Sequence, residues 1–161
     1  MARRPDPPTT PPVVHSRVDD ALAMLPSSLC IMSASYERAR AAAVVRWAMR
    51  CATEPPLVCV SVRKGHGVEP LIRDSRCFAL NLVDLGDRLA RRTFEREDAL
   101  RDDPFDALEV CVLATGSPVL ARAAAALDCE VVRHFDLEEA DHELYVGRVL
   151  HAVVNHRGDQ A

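Results

Sequence analysis

Apolar residues in this chain fall into short alternating or continuous stretches, and the polar breaks between them carry turn-forming residues. Residues 29–35 read as a strand, Tyr36-Glu37-Arg38 as its turn, and residues 40–45 as the return strand of a hairpin. The pattern then turns irregular over residues 46–50. It bends at Glu54-Pro55-Pro56 and resumes as Leu57-Val58-Cys59-Val60-Ser61-Val62, a run apolar enough for a strand buried on both faces. Further strands are predicted over residues 77–83, 108–113, 123–135 and 142–154. The alanine-rich residues 121–127 suit a helix equally well by propensity. Helices are fewer and shorter. Val18, Leu22 and Leu25 share one face of a helix that Ser16 can cap and Pro26 ends. Residues 68–75 turn Leu71 and Ile72 inward, and residues 85–94 place Leu85, Leu89 and Arg92 or Thr93 at helical spacing. Many strands with few β-α-β units predict a mainly β chain: an antiparallel, Greek-key-like barrel with short helices packed outside it.

The flanks differ from this pattern. Residues 1–14 hold five of the eleven prolines and read as a tail with polyproline character. A polar tail starts at Asn155, so one domain is expected over residues 15–155, followed by a tail at 156–161. Residues 95–106 are charge-rich, contain Pro104 and read as a long surface loop, equally a lid or binding loop or plain disorder.

Composition narrows the classes. The chain has 161 residues, 48% hydrophobic and 27% charged, which fits a globular domain with a real core. A net charge of −4 argues against nucleic acid or an anionic membrane as partner. No apolar run reaches the roughly 18 residues of a membrane span. The N-terminal arginines lack the apolar segment of a secretory signal, so the cytoplasm is the expected compartment. Lys64 is the only lysine, and the arginine bias is discounted as a feature of base composition. The six cysteines form no C-x-x-C pair, sit mostly in apolar runs, and read as buried thiols in a reducing compartment; no metal site is expected.

Candidate chemistry concentrates in a few places. Arg63-Lys64-Gly65-His66-Gly67 is a cationic, glycine-containing loop at a strand end, able to approach a phosphate or to lie solvated. Trp47, the only tryptophan, is either a core or interface aromatic or a flat face for a flat heterocycle. Arg46 and Arg50 are either solvated charges or forks for phosphate oxygens. Asn81 interrupts an apolar strand and must find a partner if buried. His142 follows Asp141 at the start of a strand, where a side chain can point into a site, whereas His15, His134, His151 and His156 read as surface positions. No G-x-S-x-G or H-E-x-x-H motif is present.

Several ordered stretches carry a resemblance. They are Ala23-Met24-Leu25-Pro26-Ser27, then Trp47 spaced from Glu54-Pro55-Pro56-Leu57-Val58, then Arg63–Gly67. After these come Glu69-Pro70-Leu71-Ile72-Arg73-Asp74-Ser75 before Phe78-Ala79-Leu80-Asn81, then Thr115-Gly116-Ser117-Pro118-Val119-Leu120, then Leu127-Asp128-Cys129-Glu130-Val131, and finally the stretch from Asp141 to Val149. In this order and spacing the chain resembles the flavin reductase-like domain family, the FMN-binding split barrel of flavoredoxin and NAD(P)H:flavin oxidoreductase type. The resemblance implies a split β-barrel homodimer that binds FMN, or FAD in some members, near the subunit interface. It implies NAD(P)H as co-substrate and a partner monooxygenase that takes the reduced flavin; other members keep the flavin as an electron carrier. It also places Val45, Arg46, Trp47, Ala48, Met49 and Arg50 along the flavin and its phosphate, with Arg63, Lys64 and Asn81 on the other side. His142 falls on the family's G-D-H motif, associated with nicotinamide use, and is the one catalytic candidate, as a positioning donor. Three departures stand out. Val44 and Arg46 occupy positions where the family carries hydroxyls, Ala42-Ala43 replaces Gly-Met, and Ala140 replaces the Gly of G-D-H. They leave open a binding protein or dimeric scaffold without turnover.

Overall fold

The structure, a computed structural model, describes residues 17–84, 86–95 and 103–155. The proline-rich tail, Ser16, Leu85, most of the charged loop and the C-terminal tail lie outside the described residues. Nine strands and three helices follow in the order α1 (Val18–Leu22), β1 (Cys30–Tyr36), β2 (Ala39–Val45), β3 (Ala48–Ala52), β4 (Leu57–Arg63), α2 (Val68–Ser75), β5 (Cys77–Leu82), α3 (Arg88–Phe94), β6 (Val110–Val112), β7 (Pro118–Leu120), β8 (Ala125–Asp136) and β9 (His142–Val154), counted among the described residues.

Seven strands form one antiparallel sheet in the order β2-β1-β5-β8-β9-β4-β3. Its two edge strands, β2 and β3, are consecutive along the chain, with only Arg46 and Trp47 between them. The sheet therefore curls until its edges meet, and β2 also lies against β4. Backbone bonds stitch this seam on both sides. The Ser28 N–H donates to the Arg46 carbonyl (3.0 Å), and the Ser61 N–H donates to the Trp47 carbonyl (2.9 Å).

Strand alternation sorts side chains into two cores. Inside the barrel, Met32, Ala43, Val45, Val60, Val62, Phe78 and Tyr145 pack together, and α2 closes one end with Val68 and Ile72. β9 lies tight against the core there: a Cβ on Gly147 would stand 2.5 Å from the ring of Phe78 on β5. Outside β1 and β2, Ile31 and Ala42 meet Ala90 and Phe94 of α3, Phe105 and Leu120. α3 starts behind Asp87, whose Oδ1 accepts the Ala90 N–H (3.1 Å) and whose Oδ2 accepts from Arg122 Nε (2.6 Å).

Several sequence-based expectations change. The segment at 46–50 is not irregular: the break is confined to Arg46-Trp47, and Ala48–Ala52 is a paired edge strand with a bulge after Arg50. β4 is buried only on its inner face; its outer side chains stay half-buried or exposed among the described residues. The helix at 85–94 begins at Arg88, and the strand at 108–113 shrinks to Val110–Val112. α1 buries none of its residues, so its apolar face packs on nothing in the described chain. Of the cysteines only Cys30 and Cys129 are buried, while Cys51 and Cys111 are exposed. Burial, with Asp128 adding to it, pushes the Cys129 thiol up to about 12, which keeps it unreactive.

Candidate functional site

The seam brings several predicted residues together. Trp47 leaves it with 57% of its surface exposed, an unusual state for the one indole of a globular chain. The indole meets the His142 ring at 5.0 Å between centroids, tilted by 53°. His142 begins β9 directly opposite Arg63 at the end of β4, so the two strands deliver an imidazole and a guanidinium side by side. Asp141 Oδ1 lies 2.8 Å from His142 Nδ1 and fixes the ring. That contact holds the Asp141 carboxyl below the usual carboxylate range. The Asp141 carbonyl accepts the Lys64 N–H (2.9 Å), tying the loop after β4 to the turn before β9. Gly65, at φ +78°, gives that loop its left-handed step.

Other predicted residues stand differently. Val45 is an inner-core side chain, 3% exposed, and cannot offer its side chain to a ligand. Asn81 is fully buried and belongs to the framework. Its Nδ2 donates to the Ile31 carbonyl (3.1 Å) and Ser33 Oγ (3.0 Å), and its Oδ1 accepts the Leu120 N–H (2.8 Å). A carboxamide with both ends engaged is a clamp between β1, β5 and β7. Lys64 is committed to the acidic hairpin, with Nζ 2.5 Å from Asp136 Oδ1 and 2.9 Å from the Leu137 carbonyl. Ala48 is half-buried against the inner core. Met49 and Arg50 are exposed on the edge strand, and Arg50 Nε donates to the Ala52 carbonyl (3.2 Å), toward the far end of β3. Arg46 is exposed beside Trp47 and reaches Glu95 at the end of α3 (3.5 Å).

Sequence reasoning missed two features. His134 is not simply a surface residue: its Nε2 lies 2.5 Å from Glu143 Oε2, and its ring stacks on Tyr145 at 4.5 Å. Glu143 in turn accepts from the Tyr145 hydroxyl (2.7 Å), and burial, reinforced by Glu143, pushes that phenol up. Strand alternation could have signalled the pair, since Glu143 and Tyr145 share the inward face of β9. The contact between Arg46 and Glu95 had no local signal, because it joins positions far apart in sequence.

The outer faces of β3, β4 and β9 add a second property. Met49 is exposed, and Leu57, Cys59, Leu144 and Val146 are only half-buried, so this part of the sheet carries an apolar outer surface. An exposed aromatic at one end of an uncovered apolar face, flanked by arginines, can take a flat, partly anionic ligand. Among the described residues no cluster fit to hold a metal ion is found, and no helix is long and apolar enough to cross a membrane.

Comparison with known proteins gives three findings. The family described as flavin reductase like domain matches residues 22–161. Diflavin flavoprotein A 1 of Synechocystis sp. is 26% identical over 137 residues, 84% of this chain and 24% of that protein. The chain thus spans about a quarter or less of the curated relatives it matches. The NADH:FAD oxidoreductase of Streptomyces globisporus C-1027 superposes with a TM-score of 0.77 at 20% identity, covering 94% of this chain and 89% of that one. An FMN-binding protein of Thermus thermophilus superposes with a TM-score of 0.73 at 20% identity, over 96% and 80% of the two chains. At these identities the superpositions establish the split-barrel fold.

Proposed function

The chain belongs to the flavin reductase like domain family, and from that membership we propose that it is a flavin-binding oxidoreductase. In this reading FMN, or FAD, lies at the seam and NAD(P)H reduces it. The observation that carries the reading is the exposed Trp47 ring against His142, with Arg46 and Arg63 beside them. An isoalloxazine is flat and apolar on its faces, and its side chain ends in phosphate; an exposed indole, an uncovered apolar sheet face and guanidiniums fit those three parts.

Bound flavin supplies the redox chemistry, taking a hydride from reduced nicotinamide, so no side chain has to act as general base. The residues of this chain orient and shield. Trp47 offers a face to stack on, Asp141 holds the His142 ring toward it, and the apolar surface of β3, β4 and β9 keeps water from one side. A second copy of the chain covers that surface in the proposed homodimer and completes the shield. In this reading a partner monooxygenase in the cytoplasm would take up the reduced flavin.

A second reading, an electron carrier that does not turn over nicotinamide, is favoured by the hairpin before β9. Asp141 engages the His142 ring, and Ala140 stands before it where the resemblance expects a Gly. Anaerobic addition of NADH to the protein loaded with FMN separates the two. Bleaching of the flavin band near about 450 nm, a property of the cofactor, supports the reductase, and flavin that stays oxidised supports the carrier. Protein that takes up no flavin overturns both.

A further inference from the structure

The first residues of β9 face two ways. His142 stands against Trp47 on the outer side, and Glu143, the next residue, points into the barrel at 3% exposure. A carboxylate in an apolar interior needs partners for its oxygens. Glu143 has one for each: Oε2 lies 2.5 Å from His134 Nε2, and Oε1 accepts the Tyr145 hydroxyl at 2.7 Å. The His134 ring stacks on Tyr145 within 13° of parallel, which keeps Nε2 aimed at the carboxylate. Charges around this cluster come from Glu69 and Arg73 on α2, which act on the Tyr145 phenol, and from Asp136, opposite Glu143 in the ladder and drawn to Lys64.

The cluster closes the base of the hairpin between β8 and β9. His134 lies two residues before Asp136, and Glu143 two after Asp141, so their contact ties the two strands from inside. Lys64 ties the same hairpin from its other side, through Asp136, the Leu137 carbonyl and the Asp141 carbonyl. Asp141, which fixes the His142 ring, is carried by this hairpin. The inner tie has one member open to solvent, His134; Glu143 and Tyr145 are buried. Without the His134 N–H, Glu143 keeps one donor. A buried carboxylate short of a donor turns toward water or takes up a proton. Turning Glu143 outward shifts the backbone it shares with His142.

We propose that His134, Glu143 and Tyr145 are positioning residues, which from inside the barrel set where His142 stands against Trp47 outside it. The contact that they set is a property of the protein without ligand. Its consequence for turnover rests on the flavin reading of the seam.

The test uses the emission of Trp47, the only tryptophan, in the purified protein without flavin. An imidazolium in contact with an indole quenches it, so emission is expected to fall as the pH is lowered from about 8 to 5, the span in which histidines gain their charge. His142→Gln is expected to abolish that step, which assigns it to His142. His134→Phe keeps a ring on Tyr145 and removes the N–H, and is expected to shrink the step by about half. His134→Gln, which sets an N–H where Nε2 stands, is expected to restore it. Tyr145→Phe removes the other donor to the same carboxylate and is expected to shrink the step as well, which keeps the test open if His134→Phe does not fold. With FMN and NADH, kcat is expected to fall about tenfold in His134→Phe while the Kd for FMN stays unchanged. The assignment is overturned if the step survives His142→Gln, if folded His134→Phe or Tyr145→Phe keeps the full step while only its thermal midpoint falls, or if His134→Gln behaves as His134→Phe does. If the wild type oxidises no NADH while the step still depends on His134, the flavin reading fails and the positioning role stands.

Discussion

The two halves of the sheet share one inner core and differ in what lies outside. β1 and β2 are covered on both faces: inward by the barrel core, outward by α3, Phe105 and Leu120. β3, β4 and β9 are covered on one face only, and their outer side chains remain half-buried or exposed. An apolar surface left open among the described residues is where a ligand or partner can act, whereas a doubly covered strand contributes stability first. Substitutions in the first half should therefore unfold the protein, and those on the outer side of the second should cost ligand or partner.

The largest expected effect is on the covered half. Phe105 is buried, packs against Phe94 at 5.4 Å and lies under the Arg40 guanidinium. Phe105→Ala should lower unfolding free energy in urea by about 3–5 kcal/mol, with no direct effect on flavin contacts. A loss below about 1 kcal/mol would mean that the outer layer contributes little and the comparison fails.

The second prediction sharpens the contrast, because the uncovered half is open only on its outside. Gly147→Ala drives a methyl into the Phe78 ring and should cost about 1–3 kcal/mol by overpacking. Combining it with Phe78→Leu should recover part of that loss if the contact is the cause.

A smaller effect concerns the cover itself. Burial pushes the Asp87 carboxyl up, but the Ala90 N–H and the Arg122 guanidinium together outweigh it and hold the group below the usual carboxylate range. A carboxyl depressed in the fold adds stability that is complete above its unfolded value, near about 3.9, and is lost as pH falls through the folded value. The thermal midpoint of the wild type should thus exceed that of Asp87→Asn at pH 6 and converge with it toward pH 3. A gap that stays constant with pH would assign the cap to hydrogen bonding without charge.

The smallest effect on stability goes with the largest on function. Trp47→Ala should change unfolding free energy by no more than about 0.5 kcal/mol, as for exposed residues generally. It should weaken FMN about tenfold, the size of a lost stacking contact. Equal damage to both would make Trp47 a framework residue.

The elements that bury an inward face are the ones that the sequence reveals best. β1, β4, β5, β8, α2 and β9 match their hydrophobic patterns closely, and α2 and β9 match to the residue. β3 escapes because Met49, Arg50 and Cys51 are all exposed, so Ala48–Ala52 carries no apolar alternation to read. β7 is three residues long, below what any periodicity can register. The seam shows the same division. The Arg46-Trp47 break is visible as an arginine and the sole tryptophan interrupting an apolar run, and His142 is visible as a histidine at a strand start. That Asn81 serves the framework, that Lys64 is drawn to Asp136, and that Arg46 meets Arg91 through Glu95 all depend on partners distant in sequence, which only the folded chain brings together.

The central claim is that the uncovered seam holds a flavin, and Trp47 reports on it directly. It is the only tryptophan, so intrinsic indole emission comes from the candidate site alone. Titration of the purified apoprotein with FMN, corrected for absorption by the ligand, is the measurement to make. Saturable quenching of that emission with one FMN per chain is the predicted result. Emission that stays that of a solvent-exposed indole at every FMN concentration would contradict it.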